Sequence, residues 1–561
     1  MKSKKQLILT CYSIYLICTL LILGQAHAQS DNNRNRRITS SYYISNATVI
    51  PEPGIIHSNY DIIFKNGTIS KIGKNLTIPN DAKEIKGESL FVYPGFIDLG
   101  NNSGIEIPTL PERPDNFDTS NPIPELAGIH PHFSAAKHYQ FSENIEKGWR
   151  GLGFTIVQKI PEGKGMLSGS TTLVVLGNEG NNNLLTDYPS QIFQFNTVRG
   201  VYPHTKLAVM AKWRDLFQNT LLYQEHRAIY AKNTEIGRAE FDPVLNALVP
   251  VTQNQTPLLV ASKSELDTRR ALKMQEENNF KLVLLGVDEG DELIPVLQSK
   301  KVGVILNLAL PDDKFSDSLD SEVQGKDYDA RMERARKAYL EPLSLASKYE
   351  KAGIPFAFTS LGLEKKDFYS NLSLMIDNGL SKDAALAALT LNPAKMLGIE
   401  NISGSIAPGK MANMVLLTDS LFTKNGKVAM VISDGYLFDY QDNTNSEKTG
   451  NQVWKYSTET PVGQSKGTWE FIKKDDQWEG IVSYDSPKGT GTKKTKMKTL
   501  ELTDKSLSFS FVVETNDGVL DVTVDGEIKN NTVFEGSMNI KGYSQFTVQA
   551  TKDEKPNKYH E

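Results

Sequence analysis

Residues 92–104 read VYPGFIDLGNNSG, and the rest of the chain is organised around this stretch. Its β-branched and aromatic residues are typical of a short, buried strand. Pro94-Gly95 makes a turn into the strand, and the glycine and asparagine residues after Leu99 make a loop out of it. The stretch therefore predicts a buried strand between a tight turn and a loop.

The same residues resemble the start of the barrel in the amidohydrolase superfamily. In that family the first barrel strand begins with a Pro-Gly-hydrophobic-Ile-Asp motif, and from this Asp it continues as Asp-x-His-x-His. The motif is present here up to Asp98, but Gly100 and Asn102 occupy the positions of the family's metal-binding histidines. Glycine has no ligand atom, and a neutral amide is a poor zinc donor. The resemblance thus implies the family's fold without the first part of its metal site.

Segments on both sides of the barrel resemble the small β-sandwich that accompanies it in this family. Residues 42–50 and 60–73 alternate as strands do, with a two-residue turn at Asn66-Gly67. Residues 404–417 and 428–435 are similar to the family's closing strands. We therefore expect the two halves of the sandwich at 40–93 and 401–440, with the barrel at 94–400.

Between these flanks, strand-like runs alternate with helix-like stretches, which predicts repeated βα units and a parallel sheet. The strand candidates are 154–157, 173–176, 258–260, 281–285, 303–306 and 356–359, and the helix candidates are 266–278, 330–351 and 381–391. Further on, runs within 453–561 alternate with period two. The predicted fold class is α/β: a TIM-like (β/α)8 barrel with a composite β-sandwich from both flanks, followed by a C-terminal antiparallel β domain.

Residues 1–28 predict a signal peptide, because a basic start is followed by an apolar run and the small-x-small site Ala26-His27-Ala28. Cys11 and Cys18 both lie in this segment, so the trimmed chain would contain no cysteine. Disulfides and thiolate nucleophiles are then excluded. The expected product is an exported, periplasmic protein with no stable membrane anchor after cleavage. The formal net charge of the full chain is −5, which argues against a nucleic-acid partner.

The histidine inventory tests the metal chemistry that the resemblance implies. One or two divalent metals would need several neutral imidazoles and carboxylates. No histidine lies between His226 and His560, although the family takes one from its fifth strand and one from its sixth. The eighth-strand aspartate is also missing. We therefore expect no metal at the family positions and no cofactor; the residues standing there are Gly100, Asn102, Ala261, Gly286 and Leu361.

Other residues could still bind a metal. His130 and His132 are one residue apart and would project to the same side of an extended chain, with His138 nearby. Asp98 and Glu106 could join them. Lys212 could act as a bridging lysine, although a surface role is more common. The glycine-rich loop with Gly163, Lys164, Gly165 and Gly169 is similar to a loop that lies over the substrate mouth in the family.

Two main functional hypotheses follow. The first is a non-catalytic binding or partner subunit, paired with an active amidohydrolase subunit or forming a homo-oligomer. The alternative is an active metal-dependent hydrolase of carbon-nitrogen bonds, using zinc held by an atypical site. A third, weaker hypothesis makes the C-terminal domain a glycan or adhesion module. The sequence names no substrate for any of them.

Overall fold

The computed structural model describes residues 41–552, apart from 108–109, 116, 179–182, 312–325, 424, 441–450, 461–462, 475–476, 486–490, 504–505, 516–517, 530–531 and 541–544. The predicted signal peptide lies outside the described residues. The chain divides into two compact units, of which the first ends at Tyr440 and the second begins at Gln441. No helix in the described ranges is long and apolar enough to cross a membrane.

The first unit opens with strands that belong to one sheet: β1 (Ser41–Val49), β2 (His57–Lys65), β3 (Thr68–Gly73), β4 (Ala82–Lys86) and β5 (Phe91–Pro94). The hairpin between β2 and β3 turns at Asn66 and Gly67, with φ values of 54° and 73°. These left-handed conformations are the ones a two-residue hairpin turn requires. The predicted hairpin is confirmed.

Eight strands follow in a second sheet, in which each strand lies beside the next one along the chain: β6 (Phe96–Asn101), β7 (Phe154–Lys159), β8 (Leu167–Val175), β9 (Leu184–Gln194), β10 (Leu258–Ala261), β11 (Leu282–Val287), β12 (Gly303–Asn307) and β13 (Phe356–Thr359). The backbone N–H of Ser360 donates to the carbonyl of Gly100 at 3.2 Å, which joins the last strand to the first. The sheet therefore curls into a barrel.

Helices connect and cover these strands: α1 (Ala135–His138), α2 (Glu143–Arg150), α3 (Lys206–Tyr230), α4 (Pro243–Thr252), α5 (Glu265–Asn278), α6 (Ile294–Lys300), α7 (Lys326–Lys351), α8 (Phe368–Asp377), α9 (Lys382–Leu389) and α10 (Leu391–Leu397). Serine side chains cap α5 and α9, since the Ser264 and Ser381 hydroxyls accept from the backbone N–H groups of Asp267 and Ala384.

The barrel departs from a regular (β/α)8 arrangement at its third strand. β8 runs antiparallel to both β7 and β9, whereas the other neighbouring pairs are parallel. A parallel crossover needs about a dozen residues or more, and the loop at 160–166 is too short for one. The prediction that 173–176 forms part of a parallel βα repeat was therefore wrong.

Alternate positions of the barrel strands face two different cores. One core packs the sheet against the helices and contains large residues such as Phe154, Trp213 and Phe358. The other fills the barrel and is almost entirely aliphatic; it includes Ile97, Leu99, Ile156, Ile192, Leu259, Leu285 and Ile305. A filled interior of branched side chains leaves only the strand ends and loops for chemistry.

After the barrel, the chain returns to the first sheet with β14 (Met414–Leu417), β15 (Val428–Ser433) and β16 (Tyr436–Asp439). β14 pairs antiparallel with β5, so that Met414 lies opposite Pro94. The two flanks of the barrel thus meet in one eight-stranded sheet. That junction sits next to Gly95, where the chain enters the barrel.

The second unit is an antiparallel sheet of nine strands: β17 (Asn451–Thr460), β18 (Gly463–Lys474), β19 (Gln477–Asp485), β20 (Thr492–Lys496), β21 (Thr499–Leu502), β22 (Ser506–Thr515), β23 (Gly518–Lys529), β24 (Val533–Ile540) and β25 (Gln545–Lys552). Its own core is built around Trp454, Trp469 and Phe509. The predicted antiparallel domain is confirmed.

Candidate functional site

The position of the first missing histidine has no room for a side chain. A Cβ atom at Gly100 would lie 2.1 Å from the Oγ1 of Thr359 and 3.1 Å from the Cδ1 of Ile160. The Thr359 hydroxyl is held there because it donates to the Gly100 carbonyl at 2.9 Å. An imidazole on β6 would therefore have to push β13 away, and the residues present do not fit the family's metal.

The other four family positions are equally unsuited to binding a metal. Asn102 is exposed and donates its amide to Glu162 at 2.5 Å. Gly286 has a φ of 70° and faces open space, and Leu361 packs against the aliphatic core of the barrel. Ala261 ends β10 with a methyl group. Among the described residues, no group of three or more His, Cys, Asp or Glu side chains could hold a metal ion.

Asp98 lies beside Gly100 on β6 and is buried. Its carboxylate accepts hydrogen bonds from the backbone N–H of Gly100 at 3.0 Å, the backbone N–H of Ser360 at 3.0 Å and the Ser360 hydroxyl at 2.5 Å. Burial raises the pKa of Asp98 to about 6, although these hydrogen bonds and the Lys159 ammonium oppose the rise. The Asp98 side chain therefore joins the first barrel strand to the end of the last one through hydrogen bonds.

A buried lysine stands at the end of the neighbouring strand. The Lys159 Nζ lies 3.1 Å from Glu146 Oε1, and both side chains are fully buried. The ammonium also donates to Ser103 Oγ at 3.0 Å and Asn101 Oδ1 at 3.3 Å. Burial lowers the pKa of Lys159, while Glu146 acts in the opposite direction. Helix α2 is thereby tied to the sheet through an ion pair.

This ion pair and Asp98 belong to one hydrogen-bonded network. Asn101 donates its amide to the Ser360 hydroxyl at 2.9 Å, and that hydroxyl in turn reaches Asp98. On the other side, the Tyr139 hydroxyl donates to Glu146 at 2.9 Å. The network joins β6, β7, β13 and α2 at the end of the barrel where the family has its chemistry. Most of its buried groups are occupied with one another, although Glu146 Oε2 has no hydrogen-bond partner.

A second polar group lies at the ends of β10, β11 and β12, and sequence reasoning missed it. The Lys263 Nζ lies 3.5 Å from an oxygen of Asp288, which also accepts a hydrogen bond from Asn307. Burial raises the pKa of Asp288 to about 6, although Lys263 opposes the rise. Lys263 is 80% exposed, and Gly286, whose Cβ position faces open space, lies two residues before Asp288. We call Lys263, Asp288 and Asn307 the mouth triad.

The low-odds metal candidates occupy different environments. His130 is buried, its Nε2 has no partner, and burial with His132 nearby lowers its pKa. The ring centroids of His130 and His132 are 6.3 Å apart, but His132 is exposed. His138 Nδ1 lies 2.9 Å from the Ser134 carbonyl. Glu106 is exposed and meets this segment only through its backbone N–H, which donates to the His138 carbonyl at 3.2 Å.

The glycine-rich loop is packed closely against the segment that carries these histidines. A Cβ atom at Gly165 would lie 2.4 Å from the Cα of Gly128, and one at Gly169 would lie 2.6 Å from the Phe133 carbonyl. Gly163 accepts a hydrogen bond from Gln194, and Lys164 is exposed. Packing explains these glycines, and a role over a substrate stays a prediction.

Lys212 lies on the outer helix α3 and pairs with Asp215 at 2.9 Å. It therefore has the surface role that the sequence favoured.

Comparisons with known proteins agree with this fold. The amidohydrolase family model matches residues 351–437. An amidohydrolase from Thermotoga maritima MSB8 aligns over 71% of this chain and 100% of its own, with 21% identity and a TM-score of 0.59. A prolidase complexed with N-methylphosphonate-L-proline aligns over 72% and 100%, with 15% identity and a TM-score of 0.43. No curated protein matches the sequence at a significant level. The matched segment and the Thermotoga maritima structure show that this chain has an amidohydrolase-like fold.

Proposed function

We propose that this chain is an exported, non-catalytic member of the amidohydrolase superfamily that binds a ligand or a partner subunit. The observation that carries the proposal is the contact between Gly100 and Thr359, because a hydroxyl occupies the volume in which a metal-binding imidazole would stand. Hydrolysis in this superfamily depends on a metal that activates water and polarises a carbonyl. A shared fold does not by itself carry over that activity, because the activity depends on the residues of the site.

The alternative is a zinc-dependent hydrolase of carbon-nitrogen bonds that uses His130, His132, Asp98 and Glu106. The unpartnered Nε2 of His130 favours it, since a buried nitrogen usually has a partner. Zinc needs at least three protein donors around one point. Asp98, however, already accepts three hydrogen bonds, which supports the non-catalytic reading.

The mouth triad is where we infer that a small ligand binds. It presents an exposed ammonium and a largely buried carboxylate 3.5 Å apart, and Gly286, whose Cβ position faces open space, lies two residues before Asp288. Such a pair suits a molecule that carries both signs of charge, because each ligand charge then meets its opposite. Amino acids and short peptides have this character.

Metal content of the purified mature chain tests the absence of catalysis. After dialysis against a weak chelator, mass spectrometry should find well below one equivalent of zinc, iron or manganese per chain. Added zinc or manganese should produce no hydrolysis of N-acetyl amino acids or dipeptides above the blank. One equivalent of retained metal together with turnover would overturn the proposal and support the alternative.

Calorimetric titration with glycine, glycylglycine and triglycine tests the inferred binding site. Lys263→Met and Asp288→Asn should each weaken binding at least tenfold. Lys273→Met is the matched control, because Lys273 is a half-exposed lysine on α5 whose ion pairs are both on its own helix. Equal affinity in Asp288→Asn and the unaltered chain would show that the mouth triad does not bind the peptide.

A further inference from the structure

The first half of α7 is exposed on most of its circumference. Between residues 330 and 340, only Met332, Ala335 and Tyr339 are half-buried, and the other side chains are exposed. A helix with so few buried apolar residues contributes little to the core. Its polar side chains are therefore available to other molecules.

This exposed stretch carries an excess of positive charge. Its basic residues are Arg331, Arg334, Arg336 and Lys337, and Glu333 is its one acidic residue. Within the part of the chain that the structure describes, none of the four basic side chains forms an ion pair. The stretch is thus strongly cationic, although the full chain has a formal net charge of −5.

A groove of about 340 Å³ adjoins the same stretch. Its lining residues on α7 begin with Glu333, Arg336 and Lys337 and recur every three or four positions as far as Lys348, so they lie on one side of the helix. Asp291, from the loop after β11, lines the opposite wall. We call the space between these residues the helix groove.

Two carboxylates in the helix groove already have partners, and these contacts fix the loop against α7. Glu341 accepts a hydrogen bond from the backbone N–H of Gly290 at 3.1 Å, and the Lys348 Nζ lies 2.7 Å from Asp291. The hydrogen bond from Lys348 lowers the pKa of Asp291, so this carboxylate stays ionised and paired. The groove is therefore preformed, and its unpaired cations are those at its other end.

We propose that the helix groove binds an extended acidic segment of a partner protein. Carboxylates of that segment pair with Arg336 and Lys337, and with Arg334, which is three positions before Lys337 on the helix. Hydrogen bonds between charged groups are stronger than neutral ones, and a guanidinium can hold a carboxylate through two of them. The proposal goes beyond the mouth triad, whose residues do not line this groove, and it does not depend on whether the barrel is catalytic.

The features of the helix groove favour a peptide over an anionic membrane. A peptide can enter a groove and keep its carboxylates away from Glu333 and Glu341, whereas a flat lipid surface cannot. Helices that bind membranes also present a row of exposed apolar side chains. Between residues 330 and 340, Leu340 is the one large apolar residue that is exposed, at 37%.

Calorimetric titration with an acetylated tetraglutamate amide tests the charge complementarity. The parent chain should bind this peptide, more weakly at high salt because exposed charges are screened. The matching tetraglutamine peptide, which has no charge, should not bind. Arg336→Gln with Lys337→Gln should weaken binding about tenfold or more, since hydrogen bonds to charged groups are lost. Lys382→Gln, an exposed lysine on α9, is the control and should bind as the parent does.

Ser344→Phe separates binding in the groove from attraction to exposed charge alone. Ser344 lines the groove, so a phenyl ring there would fill part of it and leave the basic residues in place. Affinity for tetraglutamate should fall about tenfold or more, with an unchanged circular dichroism spectrum. Unchanged affinity would overturn the proposal, because exposed charge alone would then hold the peptide. Binding of phosphatidylglycerol vesicles in place of the peptide, or of neither probe, would also overturn it.

Discussion

Replacing Glu146 with glutamine should strongly destabilise the first unit. The Lys159 ammonium and the Glu146 carboxylate are both fully buried, with 3.1 Å between them. Removing one partner leaves a buried charge uncompensated, at a cost of about 3–5 kcal/mol. Residues 41–440, about 400 in number, have an unfolding entropy of about 0.8 kcal/mol/K, so the Tm should fall by about 4–6 °C.

Differential scanning calorimetry of the mature chain can measure this change. The second unit contains neither residue, so its transition is an internal reference. The variant should also regain stability as the pH rises toward about 10, the ordinary pKa of a lysine. Burial lowers the pKa of Lys159 even with Glu146 present, and without that carboxylate the folded chain loses the proton more readily than the unfolded chain does.

Two control variants separate the buried pair from ordinary surface charge. Glu146→Gln combined with Lys159→Met removes both charges and should recover most of the lost Tm. Glu276→Gln, on α5, alters an ion pair with Lys273 in which both side chains are more than half exposed, and it should cost less than about 1 kcal/mol. The reasoning is refuted if Glu146→Gln unfolds within 1 °C of the parent, or if the double variant is less stable than the single one.

Three further substitutions test other parts of the site. Gly100→Ala should lower the free energy of unfolding in urea by about 1–3 kcal/mol, because its Cβ would overlap Thr359. Adding Thr359→Ala to the same chain should restore part of this loss. A Gly100→Ala protein as stable as the parent would contradict the packing described at this position. Because the pKa of Asp98 is raised to about 6, its contribution to stability is complete below about pH 4 and is lost as the pH rises through 6. Asp98→Asn should therefore flatten the dependence of Tm on pH between 4 and 7, and an unchanged slope would disprove the assignment. The Arg150 guanidinium lies 3.8 Å from the Phe438 ring centroid and stacks on it, which a lysine cannot do. Arg150→Lys should therefore lower the free energy of unfolding by about 1–2 kcal/mol, measured by thermal unfolding. Equal stability would show that the stacking contributes nothing.

Local patterns in the sequence predicted much of the fold. The alternation in β1, β2 and β3, the hairpin turn at Asn66-Gly67 and the serine caps of α5 and α9 depend on neighbouring residues, so they can be read along the chain. The resemblance also identified both flanks of the barrel. The missing ligands were equally visible, because glycine, alanine and leucine lack a donor atom wherever they fold.

The sequence by itself therefore determined which secondary-structure elements form and which metal-ligating atoms are absent. The tertiary structure decided the direction of β8 and the partners of the buried polar groups. Lys159 follows an apolar run and could equally have been a surface lysine; only the approach of α2 buries it beside Glu146. Thr359 fills the space at Gly100 from a position 259 residues away along the chain. No local pattern encodes such contacts, because they exist only once the barrel has closed.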